Sequence, residues 1–306
     1  MALPKGEGVV FAPLQSPCIN IAVTPQERYN RVCKCFVGAF CPAGAKDAMP
    51  KHPQIIDTPA SYRKTNILAI GNNMDILYED NHIIALVKPP GLATMGLPDG
   101  QETLLTQTKA YIKEKYAKPG EVYLGVVSRL DVPVSGVVLF ARTSKAAARL
   151  NEQFREQTVE KVYLALVEGA IFPLEAECVD RLCEDKRHRK VMRTQSAEGK
   201  EAKLRYRKLR QIGQCSLIEI QLETGRKHQI RVQLAGRGFP IRGDIKYGAT
   251  MPFSGSSPRS FPGGIALHAW KLAFTHPTTK ERMELIAPLP KMFSECATVS
   301  SGQRKG

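Results

Sequence analysis

Two short segments concentrate the residue types that can do chemistry. The first is Ser128-Arg129-Leu130-Asp131-Val132-Pro133-Val134-Ser135-Gly136, which runs directly into an apolar stretch at 137–140. An Asp beside a Pro-containing turn has an ordinary structural use, since its side chain can bond nearby backbone N–H groups. Here, however, Arg129 and Asp131 flank an apolar Leu130, so a charged pair sits where the chain enters its core. Loops held by rigid elements are where reactive groups tend to be carried. The second segment is Leu222-Glu223-Thr224-Gly225-Arg226-Lys227-His228-Gln229-Ile230-Arg231-Val232, which packs three cations, a His and a Gln into a strand-to-helix transition. The free N–H groups of a first helical turn, with Arg or Lys beside them, make a ready phosphate site. Lys227, Ile230, Arg231 and Leu234 recur at helical spacing, which puts Arg231 on the core-facing side with Ile230 and Leu234. A buried guanidinium requires a carboxylate, and Asp131 is the expected partner. His228 and Gln229 fit a substrate contact and a structural role equally well.

These residues need elements to hold them. From Met74 onward the pattern predicts strands at 76–78 and 82–88 joined by the turn Glu79-Asp80-Asn81, and Pro89-Pro90-Gly91 ends the second. The spacing of Leu104, Leu105, Thr108 and Ile112 predicts a helix over 102–116, closed by Pro119-Gly120. The apolar run 137–141 suits a buried strand. Thr143 or Ser144 can cap a helix reaching about residue 157. Further strands are predicted at 161–167, 203–210, 215–223 and 265–274, with a tight turn at Gly213 between the middle two. A short helix is predicted at 227–234, and a Pro-, Ser- and Gly-rich loop at 250–264. Hairpins outnumber strand–helix alternations, which argues for an α+β fold with a mixed, mainly antiparallel sheet. Residues 1–73 carry seven internal prolines from Pro13 to Pro59 and no sustained period. They read as a poorly structured extension, with one short helix near 26–36. A basic arm, an organelle-targeting segment, or extra residues ahead of a start at Met74 are the alternatives for it. Residues 291–306 read as a tail, which leaves 74–290 as the structured domain that carries both segments.

The 306-residue chain carries a formal net charge of +15 with a pI near 9.5, which points to a polyanionic partner. The charge is uneven: residues 181–210 hold twelve Lys and Arg against four acids, a surplus of eight. No stretch of about 18 uncharged apolar residues exists, so no transmembrane helix is expected, and the first 25 residues lack the order of a secretory signal. The eight Cys do not form the framework of a short secreted domain. Cys33, Cys35 and Cys41 have no zinc-site spacing, the zinc-deaminase signature is absent, and no phosphate-binding glycine loop is present.

With these segments in hand, the chain resembles the RluA-type RNA pseudouridine synthases. The resemblance rests on five blocks in order: Arg129-Leu130-Asp131 with Ser135-Gly136; Tyr163-Leu164-Ala165; 224–231; Pro240-Ile241-Arg242-Gly243-Asp244 with Tyr247-Gly248; and Leu267-His268-Ala269 with His276-Pro277. It spans roughly 74–290. The family commonly has His where this chain has Ser128, and the S4-type RNA-binding domain of many relatives is not recognisable in 1–73.

The resemblance implies a pseudouridine synthase fold, a central sheet flanked by helices and loops with an RNA cleft across it. It implies that Asp131 is the nucleophile, Tyr163 the active-site Tyr, and Arg231 the Arg that pairs with the Asp. Arg129, Arg226, His228, Gln229 and Leu267 are the expected substrate contacts, with Leu267 lining a uracil pocket and Arg226 and the stretch 181–210 gripping phosphates. The reaction implied detaches uracil from C1′ of the ribose, turns it and rejoins it through C5, an isomerisation for which no metal, nucleotide or redox cofactor is expected. The expected partner is structured RNA: large-subunit ribosomal RNA first, transfer RNA as the alternative. A cytoplasmic monomer is expected, with an organelle as the alternative if 1–73 is a targeting segment. Two other classes compete. A non-catalytic RNA-binding or ribosome-assembly protein would not need Asp131, Tyr163 and Arg231 together. A glycoside hydrolase would need a second carboxylate flanking the bond.

Overall fold

The computed structural model describes residues 74–98, 101–185, 187–188, 190–253, 264–290 and 293. The helix expected at 26–36, Cys18, Cys33, Cys35, Cys41 and Cys296, and most of the 250–264 loop lie outside them. Among the described residues no helix is long and apolar enough to cross a membrane.

The middle of one half of the sheet is β4 (Ser135–Ala141), buried at every residue. A continuously apolar strand must be covered on both faces, and helices do this. On one edge of β4 runs β2 (Ile83–Lys88), antiparallel, followed by β1 (Asp75–Glu79). The other edge is shared by the two-residue β3 (Gly125–Val126) and by β10 (Leu267–Thr275). Successive strand side chains point to opposite faces. Ile84, Leu86, Val138 and Phe140 therefore face one way, onto Leu104 and Ile112 of α1 (Leu104–Lys115). Ile83, Ala85, Val137 and Leu139 face the other way, onto Ala146, Ala147 and Leu150 of α2 (Ser144–Arg155). Both helices start at a threonine cap. Thr103 and Thr106 exchange side chain-to-backbone bonds at 3.1 and 2.9 Å, and Thr143 accepts from the Ala146 amide at 3.1 Å.

Beyond β10 the order continues β5 (Glu160–Glu168), β9 (Cys215–Leu222), β8 (Lys200–Ile212), β6 (Glu175–Asp185) and β7 (Lys190–Thr194). β11 (Arg282–Ile286) pairs with β10. Among the described strands, the single parallel contact sets His268 and Ala269 of β10 against Ser135 and Gly136 of β4. Gly136 has φ of +121°, and a Cβ there would sit 2.6 Å from the Ala269 amide nitrogen. Only glycine fits the crossing, and this crossing seats the loop that bears Asp131.

The sheet is mixed and mainly antiparallel, as expected, but four strands and a boundary differ from the sequence reading, the two-residue β3 being too short to show a period. β6 and β7 went unpredicted because few of their residues are buried and half of them are charged. Only Cys178 and Leu182 of β6 and Val191 of β7 are buried, too few to show an alternating period. β11 is five residues long with one buried position. The short helix α3 (Gln229–Ala235) begins two residues later than expected, because His228 adopts the left-handed conformation at φ 53°.

Candidate active site

Asp131 lies in a turn closed by the Val134 amide donating to the Asp131 carbonyl at 3.0 Å. The loop is fastened from outside. Thr94 donates to the Leu130 carbonyl and accepts from the Leu130 amide, at 3.0 and 3.2 Å. The Gly91 amide donates to Val132 O at 2.8 Å. Lys88, fully buried, donates from Nζ to the carbonyls of Pro89, Leu92 and Val132 at 2.8, 2.7 and 3.1 Å. Burial outweighs the opposing charge of Asp131 and lowers the Lys88 pKa to about 7. Three carbonyl acceptors ask for three protons, which only the ammonium form supplies.

Arg231 arrives on the buried side of α3. Its Nη1 donates to Asp131 Oδ2 at 3.0 Å, while Nε and Nη2 make a two-pronged contact with Asp244 Oδ2 and Oδ1 at 2.7 and 2.9 Å. Such forked pairing fixes orientation as well as charge. The Arg231 and Asp244 side chains are 5% and 1% exposed, whereas that of Asp131 is 26% exposed. Burial alone would lower the Arg231 pKa; the bonds and charge of Asp244 and Asp131 outweigh it and hold the pKa above the usual value. Asp244 is thus the principal partner of the buried Arg, and Asp131 is bonded to the third guanidinium nitrogen. The sequence reading chose Asp131 alone, although Asp244 already stood in one of the five blocks. Asp131 Oδ1 accepts no hydrogen bond from the described residues, so one carboxylate oxygen is anchored and the other is free.

His228 Nε2 lies 3.8 Å from the anchored oxygen. Its Nδ1 is 2.7 Å from the Tyr247 hydroxyl, which accepts from the Val191 amide at 3.1 Å. Tyr247 stands in the 3-10 turn Ile245–Tyr247, with its ring under the Arg231 guanidinium at 5.0 Å and the Lys190 ammonium at 5.6 Å. Neither Tyr247 nor Lys88 was expected in the site. Tyr247-Gly248 was visible as part of a block, and Lys88 only as a lysine before Pro-Pro.

Tyr163 on β5 is half-buried against the same apolar cluster as Leu130 and Leu267. Burial raises its pKa, and the charge of Asp131 raises it further, so the phenol keeps its proton. Leu267 pairs with Ala165, two residues along β5 from Tyr163. The Arg129 side chain is exposed and bonded to none of the described residues. Arg226 is exposed, with Nε on the Glu201 carbonyl at 3.0 Å. Gln229 is different from what was expected. It is 2% exposed, its oxygen accepts from Thr224 Oγ1 and the Arg226 amide, and its nitrogen donates to Lys203 O and to Gln233. Every part of that amide is used inside the protein. Gln229 shapes the turn into α3 and is not placed to touch substrate.

The stretch 181–210 is also less bare than its composition suggests. Lys203 pairs with Glu201, Arg205 with Glu223, Arg207 with Glu219 and Arg193 with Asp180, at 3.1, 3.1, 3.1 and 2.7 Å. Three of these four acids lie outside the stretch, on β6 and at the β9 end, and only folding brings them across.

A sequence profile of the family described as RNA pseudouridylate synthase matches residues 82–236, which contain Asp131, Tyr163, His228 and Arg231. The chain belongs to that family. It is 34% identical over 245 residues to the uncharacterized RNA pseudouridine synthase YlyB of Bacillus subtilis (strain 168), covering 79% of this chain and 78% of that one. It is 33% identical over 234 residues to ribosomal large subunit pseudouridine synthase C of Buchnera aphidicola, covering 75% and 70%. Among solved structures, human RNA pseudouridylate synthase domain containing 4 superposes with a TM-score of 0.58 at 26% identity, over 72% of this chain and 90% of that one. The synthase is therefore an isomerase acting on RNA, with the α+β pseudouridine synthase fold.

Proposed function

We propose that the synthase isomerises uridines of large-subunit ribosomal RNA, with Asp131 Oδ1 as the nucleophile. The observation that carries the role of Asp131 is the asymmetry of its two oxygens. Arg231 holds Oδ2, whereas Oδ1 has no hydrogen-bond partner among the described residues, and the side chain is 26% exposed. A nucleophile needs both a fixed position and an unengaged lone pair. The bond from C1′ to N1 breaks and one from C1′ to C5 forms. The proton lost from C5 is balanced by one gained at N1. Atoms and electrons balance within the nucleotide, so the chemistry calls for no co-substrate, and one chain holds every residue named here.

Tyr163 acts in this reading as a stacking and hydrogen-bonding surface for the uracil, since a phenol with a raised pKa is a poor base. Leu267 and Leu130 form the apolar floor beneath it. Arg129, with its guanidinium free, and Arg226, with part of its fork free, are the phosphate contacts. The target uridine must leave its stack, which costs a few kcal/mol and least in loops and irregular helices. Contacts to the flanking phosphates offset that cost. The ribosomal target rests on the relatives called ribosomal large subunit pseudouridine synthases.

The test uses RNA carrying uridine tritiated at C5. Release of tritium by the intact protein and its loss in Asp131→Ala is the expected result, and equal release by both would refute the nucleophile. Mapping pseudouridine in total RNA with and without the gene locates the target. Sites lost only from transfer RNA would overturn the ribosomal assignment.

A further inference from the structure

The strained backbone at His228 and the hydrogen-bond chain behind its ring call for an explanation that substrate contact does not supply. His228 has φ of 53°, a region that residues other than glycine seldom adopt and that recurs at functional sites. It stands at the start of α3 without serving as a side-chain cap. Its side chain is 12% exposed and is reached from one side by Tyr247 and from the other by Asp131.

Resting on the reading of Asp131 as nucleophile, we infer that His228 is a positioning residue: a neutral imidazole whose tautomer is set by Tyr247 so that its Nε2–H closes onto Asp131 Oδ2 and leaves Oδ1 to react. The proton assignment follows from donors and acceptors. The Val191 amide donates to the Tyr247 oxygen, and no other acceptor for the phenolic proton stands among the described residues, so that proton goes to His228 Nδ1. Nδ1 is then the acceptor of the ring, and the ring's own proton resides on Nε2. At 3.8 Å the Nε2–Oδ2 contact is longer than a hydrogen bond. Contacts of this kind commonly tighten when substrate arrives. Arg231 and His228 then address the same oxygen, which fixes the carboxylate's rotation about its last bond.

The charged groups around the ring act in both directions. Burial disfavours the imidazolium most, and Arg231, Lys246 and Lys227 disfavour it as well. Asp131 alone favours it, and the His228 pKa lies below the ordinary value of 6.5. Lys190 stands across the Tyr247 ring and adds no carboxylate. The hydrogen bond from Tyr247 also favours the neutral ring. Acid protonates Nδ1, removes the acceptor for Tyr247 and breaks the chain. Turnover therefore falls on the acid side, below the ordinary His range.

The experiment measures kcat and KM by tritium release for His228→Gln, His228→Asn and His228→Ala, with Asp131→Ala alongside. A glutamine amide can place an N–H near where Nε2 stands; asparagine is too short. His228→Ala and His228→Asn should lower kcat on the order of 100-fold with KM within about twofold, and His228→Gln should recover most of the loss. The second variant, Tyr247→Phe, removes the bond that favours the neutral ring, so the acid limb of kcat should move to higher pH. Unchanged kcat in His228→Ala, equal loss in Gln and Asn variants, or an unmoved acid limb in Tyr247→Phe would each overturn the inference. Activity retained in Asp131→Ala would instead overturn the reading on which it rests.

Discussion

Two regions of this molecule hold ion pairs, and they use them in opposite ways. The ribbon of β6, β7, β8 and the neighbouring β9 carries pairs such as Arg205–Glu223 and Arg207–Glu219, whose Arg side chains are more than half exposed. The site carries Asp131, Arg231 and Asp244, with the central guanidinium almost closed off from water. Exposed pairs of the first sort contribute about 0–1 kcal/mol each and weaken with salt. A buried guanidinium stripped of a carboxylate costs about 3–5 kcal/mol. A count of charges along the sequence would rank the ribbon first. Burial reverses the ranking, because the dielectric around the charges, more than their number, decides what each is worth.

The sharpest break in that comparison is Asp131→Ala. Tritium release should fall on the order of 10⁴-fold or more, with unfolding by urea nearly unchanged, since the anchored Arg231 keeps Asp244. Arg231→Met comes next, because it leaves two carboxylates without their cation. Its unfolding free energy should drop by about 3–5 kcal/mol, and turnover should fall on the order of 100-fold as Asp131 loses its fixed orientation. Gly136→Ala touches no charge at all. Denaturation should nonetheless show a loss of about 2–3 kcal/mol, from a Cβ driven into β10 and an unfavourable φ. The smallest effect belongs to the ribbon. A double-mutant cycle on Arg205 and Glu223 should return a coupling under about 1 kcal/mol that disappears in concentrated salt. A coupling there as large as that of Arg231 with Asp244 would erase the distinction between the regions.

Much of the fold around β4 was legible in the sequence because β2 and β4 are almost continuously apolar and the helix after β4 has its threonine cap at a readable position. β6 and β7 were not, since an exposed ribbon has little apolar side to repeat. In the site, Asp131 and Arg231 could be chosen from their settings: a charge at the mouth of a core strand and a cation on the apolar side of a helix. Asp244 and Tyr247 follow β-strand and helix in a loop with no period of its own, so only the fold shows that they close over Arg231. Gln229 misled for a related reason. A polar side chain between Lys227 and Arg231 looks like a ligand contact until the turn it holds together is seen. Three of the four acids that pair with the ribbon's cations lie outside its basic stretch and meet them only across strands.

The contact between Asp131 and Arg231 spans a hundred positions, and Gly136 is seated by a strand that begins at Leu267. During synthesis Asp131, the proposed nucleophile, therefore emerges long before its guanidinium, its tyrosine neighbour or its strand. A nascent chain, surrounded by the RNA of the ribosome that makes it, has the reactive carboxylate but nothing to aim it. The proposed site can be complete only after β10 has been made and can seat Gly136.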